Sequence, residues 1–166
     1  KMWIIIKFNK KKLSSLKDDF KKKLGNNCVF YQPKTKIQRY NKNKLRELEF
    51  PLLGNYIFCY HENFDNYNVL SNLKFSKGLD YILNGSKQSQ SEIVSFISRC
   101  KSLTDNRGFI SKSLFDLKIN TNYRFNTGPF VEKIFKIIDL QKNKINILLG
   151  NVKTTLNKKD FLFSPI

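Results

Sequence analysis

Histidine is almost missing from this 166-residue chain: His61 is its one copy. Most catalytic triads and zinc sites are built on imidazoles held by partners, so both lack their usual raw material. Cysteine is sparse as well. Cys28, Cys59 and Cys100 are odd in number, widely spaced and without a CxxC pair. They support neither a disulfide framework nor a thiolate metal site, and read as small buried apolar residues of a reducing, cytoplasmic compartment. Acidic residues number 13 against 31 Lys and Arg. Asp18-Asp19 is the one adjacent acidic pair, placed to suit the positive end of a helix rather than a two-metal centre, which needs several converging carboxylates. A GxxxxGK[ST] phosphate loop is absent, so Lys77-Gly78 and Asn84-Gly85 are turn material. Apolar runs such as 2–6 are far too short to span a bilayer. No secretory leader is expected, because Lys10–Lys12 follow that run at once. These absences predict a non-enzymatic, monomeric chain with no metal, no cofactor and no membrane partner. His61 follows a predicted strand and is expected at the surface or at a strand end.

What the chain has in excess is positive charge and aromatic carbon. A formal charge of +18 makes a polyanion the default partner. Hydrophobic residues make up 40% of the chain, with 15 Phe and 7 Tyr, and these need a core or an interface, so a folded protein is expected rather than a disordered one. The length suits one ordinary domain or two small ones on a short linker. Residues 1–103 hold 20 basic and 8 acidic residues, net +12, and the remainder 11 and 5, net +6.

Periodicity divides the chain. MWIIIKF at 2–8 is β-branched and aromatic and predicts a central strand. Leu13, Leu16, Phe20 and Leu24 then fall at helical spacing, with Asn9 available as a cap and Gly25 as a stop. A strand is predicted at 28–32 and an extended hairpin arm over 34–49, its tip at RYNKNK. YIFCY at 56–60 predicts another strand, 64–73 a short helix, 79–83 a strand and 88–103 a helix. TDNRG signals a turn or linker within 104–118. Beyond it, five short runs separated by turn residues predict a small all-β barrel over 119–166. The expected fold class is α+β: helices packed on an antiparallel sheet with a protruding hairpin, followed by a five-stranded barrel.

Three features point to binding. Lys10, Lys11 and Lys12, Lys21, Lys22 and Lys23, and the arm residues Lys34, Lys36, Arg39, Lys42, Lys44 and Arg46 form an exposed basic set suited to phosphate contacts; the plainer reading of each cluster is a solvated charged face. Phe50, Tyr56, Phe58 and Tyr60 form an aromatic segment, of which Phe50, Tyr56 and Phe58 are the candidate contacts. Residues 56, 58 and 60 share one side of their strand while Ile57 and Cys59 point to the other, so this strand is either covered twice or bears an exposed apolar patch. Gly128, Pro129 and Phe130 make a tight turn at the edge of the second domain.

The ordered set of these segments resembles the NusG/RfaH family of transcription elongation and antitermination factors. MWIIIKFNKKKLSSLKDDFKKKL is similar to the family's opening strand and helix. NNCVFYQPKTKIQRYNKNKLRELEFPLLGNYIFC is similar to its strand, hairpin and Phe-Pro-to-Tyr segment, with wording closer to the RfaH-like members. NTGPFVEKIFKIIDLQKNKINILLGNVKTTLNKKDFLF is similar to its KOW domain. The resemblance implies an amino-terminal polymerase-binding domain over 1–103, a linker over 104–118 and a KOW barrel over 119–166. It implies that Phe50, Tyr56 and Phe58 meet the clamp helices of RNA polymerase. Asn66, Tyr67 and Asn68 stand where a second polymerase contact would lie, though they do not match the relatives' polar motif. It implies DNA or nascent RNA beside the basic arm, and a ribosomal protein or termination factor as the partner of the KOW domain. A free-standing KOW-type RNA- or DNA-binding protein, associated with the ribosome, is the alternative.

Overall fold

The computed structural model describes residues 2–42, 44–110 and 116–166. Eleven strands and three α-helices are seen among them, in two compact units: 1–33 with 51–99, and 34–50 with 100–166.

The first unit is a four-stranded antiparallel sheet in the order β2-β5-β1-β6, formed by β1 (Met2–Phe8), β2 (Val29–Tyr31), β5 (Tyr56–His61) and β6 (Leu79–Ile82). Alternation in β1 sends Met2, Ile4, Ile6 and Phe8 to one face, all buried, and Trp3, Ile5 and Lys7 to the other. The first face is covered by α1 (Leu13–Leu24) and α2 (Tyr67–Leu73), which bury Leu16, Phe20 and Leu73 completely. Burial of each such side chain contributes about 1.5–3 kcal/mol. A one-turn 3₁₀ segment, Lys10–Lys12, leads into α1; the Asn9 side chain caps it by accepting the Lys11 N–H at 3.0 Å. Gly78, at φ +84°, offers its carbonyl to the Asn9 N–H at 3.0 Å, and a Cβ there would lie 2.8 Å from Lys12. Only glycine lets the chain pass that close. On the opposite face, Ile93 and Ile97 of α3 (Gln90–Ser102) bury Phe58, with Trp3, Ile5, Tyr31, Leu53 and Phe96 around them.

The second unit holds a five-stranded antiparallel sheet in the order β10-β9-β8-β7-β11. Its strands are β7 (Asn122–Phe125), β8 (Ile134–Leu140), β9 (Lys144–Leu149), β10 (Val152–Asn157) and β11 (Phe163–Pro165). Its core is aromatic: Tyr123, Phe125, Phe135 and Phe163 are buried with Ile137, Ile145 and Ile147. The Phe125 and Phe135 rings stand 4.3 Å apart, centre to centre, and such pairs add about 0.5–1.5 kcal/mol beyond their burial. The α+β class and the small carboxy-terminal β domain are as expected.

The arm, β3 (Lys34–Asn41) paired with β4 (Lys44–Pro51), makes its contacts within this second unit, although its sequence position falls inside the 1–103 segment. Backbone hydrogen bonds explain the difference. The Gln38 N–H donates to the Asn126 carbonyl at 2.9 Å, and the Gln38 side-chain carbonyl accepts from the Gly128 N–H at 2.8 Å. Ile110 bridges Thr35 and donates its N–H to the Lys34 carbonyl at 2.8 Å. The TDNRG turn is formed, with the Asp105 carboxylate accepting from the backbone N–H of Arg107 and of Phe109. Of the expected 104–118 linker, residues 111–115 lie outside the described residues, as does Asn43 at the tip of the arm.

Candidate nucleic-acid and protein-binding surfaces

The arm sorts its charges by strand alternation. Lys36 Nζ meets Glu47 Oε2 at 3.2 Å and also sits 4.8 Å from the centre of the Phe109 ring. That cross-strand pair puts even positions of β3 and odd positions of β4 on one face. Arg39, Lys44 and Arg46 therefore share the other face, and all three are exposed, as are Lys34 and Lys42. Lys42 sits at the turn with φ +48°. Lys36 is thus engaged within the protein, while the remaining arm cations point long, mobile side chains at solvent, which suits sequence-independent contact with phosphates. In the first unit, Lys10, Lys11 and Lys12 are exposed together in their 3₁₀ turn. Lys21 and Lys22 are exposed on α1. Lys23 is spent on its own unit, bonding Ser76 Oγ at 2.9 Å, the Asn72 carbonyl at 3.2 Å and Asp19 at 3.3 Å. Asp19 also accepts the Lys77 N–H; burial alone would raise its carboxyl, but these donors outweigh burial and hold it below the usual range.

The aromatic segment does not form one exposed patch. β5 is covered on both sides: Ile57 and Cys59 lie against α1, and Phe58, 3% exposed, lies under α3 with its ring 5.8 Å from that of Phe96. A partner reaches Phe58 only by displacing α3, so Phe58 is a core residue. Phe50 is exposed near the end of β4 in the second unit. Tyr56 stays at the sheet surface and acquires partners that sequence spacing does not reveal. β1 lies between β5 and β6, so Lys7 is flanked by Tyr56 on one side and Tyr81 on the other. The two phenol oxygens are 2.9 Å apart, and Lys7 Nζ stands 6.0 and 5.3 Å from the ring centres, within cation–π range. The bond to Tyr81 raises the Tyr56 phenol above its ordinary value, with smaller contributions from burial and from the Tyr81 charge, while Lys7 pulls the other way.

Asn66, Tyr67 and Asn68 begin α2. The Asn66 side chain is occupied as the helix cap, accepting the Asn68 N–H at 2.9 Å. Tyr67 is 73% exposed, with Lys74 Nζ 5.9 Å from its ring centre. Tyr67 and Tyr81 both line a cavity of about 580 Å³ floored by Met2, Ile4 and Phe64. In the second unit, Gly128, Pro129 and Phe130 do form a turn. Gly128 has φ +86°, and a Cβ on it would lie 2.6 Å from the Phe161 ring. Phe130 packs on Phe125 at 5.7 Å, which leaves Pro129 as the exposed member.

His61 stands at a strand end, one of its two expected places, but not at the surface. It ends β5 but is 3% exposed, its Nδ1 accepting the Asn63 N–H and its Nε2 donating to the Leu24 carbonyl, both at 3.2 Å. Among the described residues no group of three His, Cys, Asp or Glu could hold a metal ion, and no helix is long and apolar enough to cross a membrane.

No protein-family model matches the chain, and no curated protein matches it. Solved structures do. A MjSpt4:Spt5 complex in conformation B is 12% identical with a TM-score of 0.34, over 99% of this chain and 98% of that chain. A Thermotoga maritima NusG structure, solved for its domain interaction, is 13% identical with a TM-score of 0.36, over 94% of this chain and 92% of that one. Likeness at this level assigns neither family nor function.

Proposed function

We propose that this chain is a non-enzymatic transcription elongation factor that binds RNA polymerase and touches the adjacent nucleic acid with its basic arm. The observation that carries the reading is the arm itself: a two-stranded ribbon with Arg39, Lys44 and Arg46 on one face and Lys42 at its turn. A cationic ribbon of this kind suits the grooves and backbone of a polyanion and needs no catalytic group. The polymerase half of the reading is supported by the NusG/RfaH-like segments of the sequence and by the surface cluster Tyr56–Tyr81–Lys7, in which two rings with polar tips suit a protein contact. Phe58 keeps a supporting role, holding α3 against the sheet that carries Tyr56. A factor that prefers the closed, elongating polymerase over its paused form shifts that equilibrium by the difference in its two affinities, so the expected effect is reduced pausing or termination.

Binding of a duplex oligonucleotide at a series of salt concentrations tests the arm. Each lost phosphate contact lowers the log–log salt slope by about 0.9, so a quadruple variant R39A/K42A/K44A/R46A lowers it by roughly 3–4. An unchanged slope places the nucleic acid elsewhere. Duplex or RNA binding at full strength with no affinity for polymerase favours the free-standing binder instead.

A further inference from the structure

Two of the three thiols of this chain meet. Cys28 Sγ and Cys59 Sγ are 3.1 Å apart in the buried core of the first unit. The contact follows from sheet register: β2 runs antiparallel to β5 with Phe30 opposite Cys59 and Val29 opposite Tyr60, so Cys28, one residue before β2, points to the same face as Cys59 from a diagonal position. A disulfide sulfur pair is separated by about 2.05 Å, so bonding requires roughly 1 Å of further approach. That movement is available at Cys28. The residue lies between the Gly25–Asn27 turn and a three-residue strand at the edge of the sheet.

We propose that Cys28 and Cys59 are a thiol pair that a hydroperoxide converts to a reversible intramolecular disulfide. The two members differ in a way that assigns their roles. Cys28 is 6% exposed and Cys59 is fully buried, so a small oxidant meets Cys28 first. Donation from the Cys59 S–H favours the Cys28 thiolate over its ordinary balance, against burial and with help from the charge of Lys21. Burial, reinforced by the hydrogen bond, pushes the Cys59 thiol up. In the first step the Cys28 thiolate attacks the peroxide: the O–O bond breaks, an S–O bond forms, and the alcohol departs after taking a proton. In the second, Cys59 sulfur attacks Cys28 sulfur: the S–S bond forms, the S–O bond breaks, and the hydroxide leaves with the Cys59 proton as water. Two thiols and one hydroperoxide thus give one disulfide, one alcohol and one water. The product ties β2 to β5 and closes the 31-residue sequence separation that contains both strands of the arm.

The test uses the reduced 166-residue chain, treated with a small excess of tert-butyl hydroperoxide, quenched, then alkylated in denaturant. The expected result is a mass lower by about two hydrogens before alkylation, a fall in alkylated cysteines from three to one, and a tryptic cross-link between peptides 24–34 and 47–74 that disappears with a thiol reductant. Three alkylated cysteines after treatment, a cross-link through Cys100, or a Cys28 that proceeds to the sulfinic acid while Cys59 stays alkylatable would each overturn the proposal. In Cys59→Ala the Cys28 sulfenic acid is expected to persist and to be trapped by dimedone. Should that variant misfold, the wild-type peptide map decides alone.

Discussion

Replacing Phe58 by alanine separates core from contact. Its ring is 3% exposed, meets Ile93 and Ile97 of α3, and stands 5.8 Å from Phe96 and 6.3 Å from Tyr31. Removing a ring enclosed in this way costs about 3–5 kcal/mol, a large share of the ~5–15 kcal/mol that holds a domain folded. For a unit of this size each kcal/mol is worth about 4–8 °C, so even the lower cost moves the melting transition down by roughly 12–24 °C. Tyr56, two residues away on the same face, has its hydroxyl at the surface with Tyr81 and lies opposite Lys7 of β1, and truncating one member of such a cross-strand pair costs about 1 kcal/mol or less. Thermal unfolding followed by circular dichroism measures both. A Phe58→Ala protein that melts within a few degrees of wild type would refute the burial of this ring beneath α3. The outcome also decides how binding data are read: loss of a partner in Phe58→Ala reports an unfolded sheet, whereas loss in Tyr56→Ala with an intact transition reports a contact.

Gly128→Ala should destabilise the second unit by about 1–3 kcal/mol, since φ +86° strains any L side chain and the new Cβ lies 2.6 Å from the Phe161 ring; a chemical-denaturation midpoint equal to wild type would contradict this. Folding favours the neutral Tyr56 phenol, so its contribution is present below the unfolded value of about 10 and is lost as pH rises through the elevated folded value. A Tyr81→Phe variant should titrate at Tyr56 closer to the ordinary phenol, read from the Tyr56 ring-carbon resonance, and identical titration curves would show that the Tyr81 hydrogen bond is not its cause.

The elements themselves were largely legible, because they depend on local spacing. MWIIIKF alternates, Leu13 to Leu24 repeats at three and four, and turn residues separate the five carboxy-terminal runs. What was not legible depends on which strand lies beside which. Tyr56 and Tyr81 are 25 residues apart and meet because β1 brings Lys7 between them. Cys28 and Cys59 meet through antiparallel register, not through spacing. The two apolar faces of β5 left open whether a helix or a partner covers Phe58; α3 answers that, since its Ile93 and Ile97, four residues apart and so on one helical face, pack on the ring. The position of His61 after the YIFCY run makes its strand-end place legible but not its burial, which the Leu24 carbonyl and the Asn63 N–H allow by satisfying both ring nitrogens. The attachment of the arm to the second unit rests on the backbone bonds of Gln38 to Asn126 and of Lys34 to Ile110 and on the Gln38 side-chain oxygen at Gly128, none of which leaves a sign in sequence.

The central claim is that a polymerase, and not bare nucleic acid, is the primary partner. Affinity purification of the tagged chain from a lysate of its source cells, with and without exhaustive nuclease, measures this directly. RNA polymerase subunits retained after nuclease, and lost when Tyr56 and Tyr81 are both replaced by alanine in a protein whose melting transition is intact, are the predicted result. Recovery of ribosomal subunits or nucleic acid alone, abolished by nuclease and indifferent to those two tyrosines, would contradict it.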